Sequence, residues 1–327
     1  MTDWTAGAAE AASRTAGRGT VLVTGATGFT GLTACRYLLQ AGYAVVGVSR
    51  GGNALESARR SAPEAVWLTC DLTSPDDAAR LLRIAKPDFV LHLAGLNAVR
   101  DSWERPLAHM QANLMATLHL LEAARLEHAC RLLIVSSMLS VPPSESPAPP
   151  HPYSWSKSLQ AASALAWARL FGLDVRVARP ANLIGPGPSA GVCGLLARHA
   201  ERLSRGEPLP PFRLSSLGEA RDYVDVRDAV RAYELILRLG RPGAVYPVGT
   251  GRHRTLREVH EAAERAAGRA IPVEVPGHAG PPEALPDSEK TDLAAIRGLG
   301  WSPAWSFDQS MRDMFEYFRT IGRRETE

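Results

Sequence analysis

The sequence predicts an α/β fold in which a doubly wound parallel sheet is followed by a smaller carboxyl-terminal domain. Between residues 20 and 180, short apolar runs typical of buried strands alternate with segments whose apolar residues recur at helical spacing. A glycine-rich turn separates the first of these strands from the first helix. Small or polar residues follow several other strands, at the end where such sheets bind their ligands.

The composition is that of a globular protein. The chain has 327 residues, of which 45% are apolar and 22% charged, and its formal net charge of +3 is not concentrated in any block. We therefore expect neither a nucleic-acid partner nor a membrane partner. The four cysteines lie far apart without CxxC spacing, which indicates no metal site and favours a cytoplasmic location. Residues 1–19 are small and polar, and we expect a flexible tail there.

The first predicted strand, residues 20–24, leads directly into a turn with the pattern GxxGxxG. A helical segment and a second strand, AVVGVS, follow. This order is the Rossmann unit that binds dinucleotides, because glycines let the backbone approach a pyrophosphate while the helix offers its free N–H groups to the phosphates. The residues expected to contact the cofactor here are Gly25, Thr27, Gly28, Phe29, Thr30 and Gly31.

The end of the second strand indicates which dinucleotide is bound. An acidic residue at this position would select NAD(H) by bonding the ribose hydroxyls. The chain has Ser49 and Arg50 instead, and a guanidinium can pair with a ribose 2′-phosphate. We therefore expect NADP(H) in preference to NAD(H). The alternative, in which Arg50 is a solvated loop residue, leaves NAD(H) open.

Three more strands are predicted in VWLTCDL, DFVLHLAG and RLLIVSS, with helical stretches between them that include 106–127. They end at Asp71, at Gly95, and at Ser136 and Ser137. Ligands of a doubly wound sheet bind at the carboxyl ends of its strands, so these residues are candidates for the site.

The segment HPYSWSKSLQ places Tyr153 four residues before Lys157, so the two side chains share one face of a helix. A free phenol has a pKa of about 10 and is not a base at neutral pH. A lysine ammonium, together with an oxidised nicotinamide, would lower the pKa of Tyr153. The tyrosine could then exchange a proton with a carbonyl oxygen. Such pairs also occur by chance, so the interpretation depends on the other motifs.

Those motifs are TGATGFTG, CDL, HLAG, QANLMAT, YSWSK, RPANLIGPG, RDYVDVRDAV, YPVGTG and LGWSP, in this order. Together they make residues 20–318 similar to the extended short-chain dehydrogenase/reductase family, which comprises nucleotide-sugar epimerases, dehydratases and reductases. SWERP and RDYVDVRDAVRAY most resemble the branch that contains GDP-mannose 4,6-dehydratases and GDP-4-keto-6-deoxy-mannose reductases.

The resemblance implies roles for individual residues. It makes Tyr153 and Lys157 catalytic and also places them at the cofactor. A strand-end hydroxyl completes the catalytic set, with Ser137 favoured and Ser136 as the alternative. Further cofactor contacts are implied at Asp71, Leu72, Leu93, Ala94, Gly95, Asn113 and Pro180. Substrate contacts are implied at Ser137, Asn182 and Arg221, although Arg221 could instead form a salt bridge with Asp225 or Asp228.

The activity that the resemblance implies is NADPH-dependent reduction of a nucleotide-linked 4-keto-6-deoxy sugar, with a GDP-linked sugar favoured. One alternative is a nucleotide-sugar 4-epimerase with tightly bound NAD(P), and another is a non-catalytic dinucleotide-binding regulatory protein. Met138 and Leu139 occupy positions where 4,6-dehydratases carry an acid–base pair, so we expect no 4,6-dehydration. The Pro-rich segment before Tyr153 is shorter than usual, and we expect a stiff loop that reshapes the sugar pocket.

Three regions are expected: a tail at 1–19, a cofactor-binding domain at 20–180, and a substrate-binding domain at 181–327 from which segments near 222–250 return to the first domain. The predicted helix 154–170 is rich in small residues on one side, which suits close helix packing. Family members commonly pair this helix and the one near 106–127 between subunits, so the resemblance implies a two-fold homodimer.

Overall fold

A computed structural model describes residues 17–141, 149–275 and 291–326, and it divides the chain into two compact units. The first unit contains the described residues up to Arg179 together with Val230–Tyr246, and the second contains the rest. The segment that returns to the first unit is therefore narrower than the range 222–250 expected from the sequence. The reason is that residues 220–225 pair with strands of the second unit.

In the described part of the chain, twelve strands form three sheets. They are β1 (Thr20–Thr24), β2 (Ala44–Ser49), β3 (Val66–Thr69), β4 (Phe89–His92), β5 (Arg131–Val135), β6 (Val175–Pro180), β7 (Asn182–Ile184), β8 (Phe212–Arg213), β9 (Ala220–Asp225), β10 (Val245–Val248), β11 (His253–Thr255) and β12 (Val273–Glu274).

The helices are α1 (Phe29–Gln40), α2 (Asn53–Ser61), α3 (Pro75–Ala85), α4 (Val99–Glu104), α5 (Pro106–His109), α6 (Ala116–Leu126), α7 (Pro152–Phe171), α8 (Val192–Ser204), α9 (Val226–Leu239), α10 (Leu256–Ala267), α11 (Ala294–Arg297) and α12 (Phe307–Thr326). A π-helical turn, Met110–Met115, joins α5 to α6. None of these described helices combines the length and the apolar character that a membrane crossing requires.

The largest sheet has seven strands in the order β10-β6-β5-β4-β1-β2-β3. The neighbours from β3 to β6 all pair in parallel. The strand order reverses direction at β1, which is the doubly wound arrangement that the sequence predicts. Strands β2, β1, β4 and β5 are neighbours and end at the same edge, so the residues that follow them are brought together.

The sheet forms because its strands are apolar along their whole length. Leu22, Val46, Val90 and Leu132 are buried at its centre, and Leu81, Leu120 and Leu121 pack on it from α3 and α6. Burial of apolar surface contributes about 25 cal/mol per Å² to folding. Strands that are apolar on both faces are therefore stabilised fully only when helices cover both faces of the sheet.

The strands end earlier than the sequence predicts. Beyond Thr69 the backbone turns, and Asp71 accepts hydrogen bonds from the backbone and hydroxyl of Thr73. Beyond His92 and Val135 the chain enters the loops that carry Gly95 and Ser137. These residues therefore lie in loops at the sheet edge and not in the strands themselves.

The prediction of one continuous helix over 106–127 is wrong, because the π-helical turn interrupts the α-helical segments. Asn113 lies in this turn, and its side chain bonds to the backbone N–H and carbonyl of Leu96 and to the hydroxyl of Ser156. A π-helical turn contains one residue more than an α-helical turn, and the contacts of Asn113 stabilise this wider turn. Such turns are frequent at functional sites.

The second unit has its own small sheets and core. Strand β9 pairs in parallel with β7 and antiparallel with β11, and β8 pairs in parallel with β12. Its buried core includes Leu196 from α8, Val259 from α10, and Met311, Met314 and Phe315 from α12.

Candidate active site

The glycine turn after β1 forces a particular backbone path. Gly25 has a φ of +66°, which favours glycine. A Cβ atom at Gly31 would lie 2.2 Å from the carbonyl oxygen of Gly25, so α1 packs directly on the turn. Gly28 precedes α1 without a side-chain cap, and the first turn has no acidic residue. The free N–H groups therefore fit a pyrophosphate, and Thr27, Phe29 and Thr30 lie half-buried around them.

The ends of β2 and β3 present one cation and one carboxylate. The Ser49 hydroxyl accepts a hydrogen bond from the backbone N–H of Gly51 at 3.0 Å and is thereby held in the turn. Arg50 is exposed and has no ion pair or hydrogen bond with the described residues, so its guanidinium is available to a phosphate. Asp71 is exposed, whereas Leu72 beside it is buried.

The loop after β4 brings Leu93, Ala94 and Gly95 to the same edge. A Cβ atom at Gly95 would lie 2.4 Å from the side-chain oxygen of Asn113 and 3.6 Å from the Lys157 nitrogen. Glycine is therefore needed at this position, where β4, the π-helical turn and α7 meet. Asn113 holds this loop to α7 through Ser156, so its observed contacts are with the protein itself.

Helix α7 positions the tyrosine and the lysine. It begins at Pro152, and the Nδ1 atom of its capping residue, His151, accepts a hydrogen bond from the backbone N–H of Ser154. Tyr153 and Lys157 lie one turn apart, and both are buried, with 7% and 6% of their surface exposed. The lysine ammonium donates to the Val135 carbonyl at 3.0 Å and to the Gln160 side-chain oxygen at 2.8 Å.

Two adjacent serines follow β5 and have different partners. Ser136 donates its hydroxyl proton to the backbone carbonyl of Lys157 at 2.9 Å, so it ties the strand to α7. Ser137 forms a side-chain hydrogen bond with Tyr153 and accepts one from the backbone N–H of Leu139. Of the two hydroxyls, that of Ser137 therefore contacts the phenol.

Burial is the main influence on the ionisation of this site. It raises the pKa of Tyr153 above its ordinary value, and the hydrogen bond from Ser137 partly opposes this. Burial also lowers the pKa of Lys157 to about 7. From the sequence we expected that Lys157 and an oxidised nicotinamide together lower the pKa of Tyr153, whereas among the protein's own residues the effect of burial is larger and raises it. The buried phenol keeps its proton at neutral pH and can donate it.

The loop after Ser137 is held by the helix that it precedes. Ser154 donates its hydroxyl proton to the carbonyl of Leu139, and Ser158 accepts from the backbone N–H of Val141. The guanidinium of Arg179 bonds to the carbonyls of Met138 and Ser140. Residues 142–148, which contain most of the predicted stiff loop, lie outside the described residues.

The expected substrate residues belong to the second unit, apart from Ser137, and Pro180 ends β6 where that unit begins. Asn182 donates its side-chain amide to the carbonyl of Asp222 at 3.0 Å. The guanidinium of Arg221 pairs with Glu219. The alternative that Arg221 pairs with Asp225 or Asp228 is wrong, because Asp225 binds Arg227 and Asp228 accepts from the backbone of Ala304 and Trp305.

Several contacts around the site were not identified from the sequence. His92, Thr117 and Gln160 form a buried hydrogen-bonded chain that ends at Lys157. The ring centroid of Tyr153 lies 6.2 Å from that of His109 and 5.9 Å from that of His151. Two of these residues had a local signal, because Gln160 lies three residues after Lys157 on the same helix face and His92 begins the HLAG motif.

Known proteins resemble the chain along most of its length. The model of the NAD dependent epimerase/dehydratase family matches residues 21–249. The GDP-6-deoxy-D-mannose reductase of Pseudomonas aeruginosa is 30% identical over 276 residues, covering 78% of this chain and 88% of that protein. The UDP-glucose 4-epimerase of Mycolicibacterium smegmatis is 33% identical over 318 residues, covering 91% of this chain and 98% of that protein.

Among solved structures, that of RMD from Pseudomonas aeruginosa complexed with NADPH superposes with a TM-score of 0.75. It is 27% identical, and the match covers 93% of this chain and 99% of that one. The family model covers well over half of the chain, and the glycine turn and the YxxxK helix lie within the matched range. The chain therefore belongs to the NAD-dependent epimerase/dehydratase family.

Proposed function

We propose that the protein is an NADPH-dependent reductase of a nucleotide-linked 4-keto-6-deoxy sugar. The observation that carries this proposal is the buried Tyr153 phenol, which bonds to Ser137 and lies one helical turn before Lys157. A phenol that retains its proton suits a reaction in which a carbonyl oxygen must be protonated. The similarity to a GDP-6-deoxy-D-mannose reductase favours a GDP-linked sugar.

In the proposed reaction, a reduced nicotinamide bound at the sheet edge would supply the hydride that the keto carbon receives. As the C=O double bond becomes a single bond, negative charge develops on its oxygen. Tyr153 gives that oxygen its proton, and Ser137 stabilises the developing charge by a hydrogen bond. Lys157 donates to the ribose of the nicotinamide and favours the phenolate that Tyr153 becomes.

The cofactor would be held along the edge of the sheet. The N–H groups at the start of α1 would bind the pyrophosphate, and Asp71 and Leu72 would flank the adenine. Arg50 supports NADP(H), because it is exposed, unpaired among the described residues, and placed where an NAD-binding protein carries an acid. Asn182 and Arg221 are proposed to bind the diphosphate of the sugar nucleotide.

A 4-epimerase is the second candidate, and the 33% identity to a UDP-glucose 4-epimerase favours it. Such an enzyme would oxidise and reduce the same carbon without net use of cofactor. It needs the same Tyr153 and Lys157, so the reacting residues do not distinguish the two candidates. Met138 and Leu139 argue against a 4,6-dehydratase, because neither side chain can transfer a proton.

The test is a panel of GDP-, UDP- and dTDP-linked 4-keto-6-deoxy sugars incubated with NADPH, alongside UDP-glucose without added cofactor. A reductase consumes NADPH in amounts equal to the alcohol formed, which absorbance and mass spectrometry both measure. Conversion of UDP-glucose to its C4 epimer, with no NADPH consumed by any keto sugar, would replace the proposal with the epimerase.

A further inference from the structure

A continuous chain of buried hydrogen bonds connects the loop after β4 to Lys157. The backbone N–H of Ala94 donates to the Thr24 hydroxyl, and Thr24 contacts Nδ1 of His92 at 2.8 Å. Nε2 of His92 lies 2.9 Å from the Thr117 hydroxyl, and Gln160 lies between Thr117 and Lys157. His92, Thr117 and Gln160 are all fully buried.

Donor and acceptor counting fixes the direction of every bond. The Thr117 hydroxyl has one proton, and it donates that proton to the Asn113 carbonyl at 2.7 Å. Both the Gln160 side-chain nitrogen and His92 Nε2 must therefore donate to the Thr117 oxygen. The oxygen of the Gln160 amide consequently faces Lys157, and the amide cannot flip without placing its N–H groups against another donor.

The protonation state of Lys157 then decides what the residue can still do. Its nitrogen donates to the Val135 carbonyl and to the Gln160 oxygen. A neutral amine has two N–H bonds, and both are already used, so it can meet a ribose hydroxyl only as an uncharged acceptor through its lone pair, a weaker contact than a charged donor makes. An ammonium has a third, which is available to a hydroxyl of the cofactor ribose.

We propose that Gln160 is a positioning residue for Lys157. Thr117 holds the Gln160 amide, and the amide oxygen accepts one N–H of Lys157. Cofactor binding therefore depends on whether Lys157 is protonated. The proposal rests on the proposed cofactor site but not on any sugar substrate. Gln160 does not touch the reacting atoms and acts through Lys157.

The groups around Lys157 make this dependence measurable. The titratable side chains beside it are Tyr153, one turn earlier on α7, and His92 from β4. Burial and the neighbouring lysine lower the pKa of His92 to about 3, and burial raises the pKa of Tyr153. Between pH 6.5 and 9, Lys157 is therefore the member of this group that changes charge, since its pKa is about 7.

The experiment measures the dissociation constant of NADPH by calorimetry from pH 6.5 to 9, for the full-length wild type and two variants. Wild-type affinity should fall as the pH rises, because the third N–H is lost. In Gln160→Glu the carboxylate stabilises the ammonium, so the fall should move to higher pH. In Gln160→Met an N–H stays free even in the neutral amine, so the pH dependence should flatten. The affinity of this variant at pH 6.5 should be lower than that of the wild type, because the ammonium is no longer held by Gln160 and must be ordered when the ribose binds.

Gln40→Glu and Gln40→Met are the matched controls, because Gln40 is exposed at the end of α1. Both should follow the wild-type profile. A merely structural role would weaken binding in both Gln160 variants and leave the shape of the profile unchanged, and that result would overturn the inference. If the wild type binds neither NADPH nor NADH, the proposed function fails and this inference fails with it. A missing ketoreductase activity alone would leave the inference intact.

Discussion

At the scale of single residues, Ser136 and Ser137 are adjacent, and we expect different functions for them because their hydroxyls have different partners. Ser136 is bonded to the backbone of α7, and Ser137 is bonded to Tyr153. Ser137→Ala should therefore lower turnover by about 10²- to 10³-fold, the effect of removing one hydrogen bond to a developing oxyanion. Ser136→Ala should keep turnover close to wild type and lower the free energy of unfolding by about 1 kcal/mol. Steady-state kinetics measures the turnover of both variants, and urea unfolding measures their stability. A large loss of turnover in Ser136→Ala, with turnover close to wild type in Ser137→Ala, would contradict the account.

Arg50 is the residue on which the cofactor prediction depends. It is exposed and unpaired among the described residues, so its removal should not affect the fold. Arg50→Ala should weaken NADPH binding by about tenfold or more, because a bidentate contact to the 2′-phosphate is lost, and should leave NADH binding unchanged. Calorimetric titration with both cofactors measures the ratio. Arg59→Ala, on the exposed side of α2, is the control for general electrostatic attraction and should change neither affinity.

The sequence points to individual residues where a short motif carries them, and their roles stay predictions. The glycine turn, the tyrosine and the lysine are of this kind, because their spacing is set by local geometry. The chain from His92 through Thr117 to Gln160 joins residues 25 and 43 positions apart, and only the folded structure brings their polar atoms together. The raised pKa of Tyr153 among the protein's own residues was missed for a related reason, since burial depends on the whole fold.

At the scale of elements, the glycine turn and α1 form one rigid unit. The Cβ atom introduced by Gly31→Ala would lie 2.2 Å from a backbone oxygen that cannot move independently of the turn. We expect this variant to lose about 1–3 kcal/mol of unfolding free energy through overpacking, and to bind NADPH at least tenfold more weakly. Gly218→Ala is the control, because its Cβ would have ordinary contacts at 3.8 Å. Wild-type binding by Gly31→Ala would show that the turn does not form the phosphate site.

The break between α5 and α6 shows where sequence periodicity is insufficient. The stretch MQANLM contains no glycine or proline, and its apolar spacing is compatible with a continuous helix. The π-helical turn is stabilised by contacts of Asn113 with Leu96 and Ser156, which lie on other segments. The first five strands, in contrast, were predicted correctly because their apolar character persists along the whole run, although the ends of β3, β4 and β5 were misplaced.

At the scale of the whole molecule, large apolar side chains are exposed on the helices expected to form a subunit interface and on α4, which precedes them. Trp103 and Leu107 are 63% and 76% exposed, and Leu126, Leu170 and Phe171 are exposed at the ends of α6 and α7. Burial of such a surface is favourable, so we expect a two-fold homodimer. Light scattering at micromolar concentration should give twice the monomer mass of 35.2 kDa.

Single charge substitutions should locate that interface. Leu170→Glu should shift the protein towards the monomer, because a carboxylate would be buried without a partner. Leu239→Glu, at a side chain that is 50% exposed at the end of α9, is the control and should remain dimeric. A monomeric wild type would contradict the expected assembly, and it would leave the account of the reacting residues unchanged.

The central claim is that Tyr153 donates the proton to the carbonyl oxygen during NADPH-dependent reduction. The most direct measurement is the rate of NADPH oxidation by Tyr153→Phe with a keto sugar that the wild type reduces. The ring keeps its packing and only the hydroxyl is lost, so the rate should fall by about 10²- to 10⁴-fold while the dissociation constant of NADPH stays nearly the same. Retention of the full wild-type rate by Tyr153→Phe would contradict the claim.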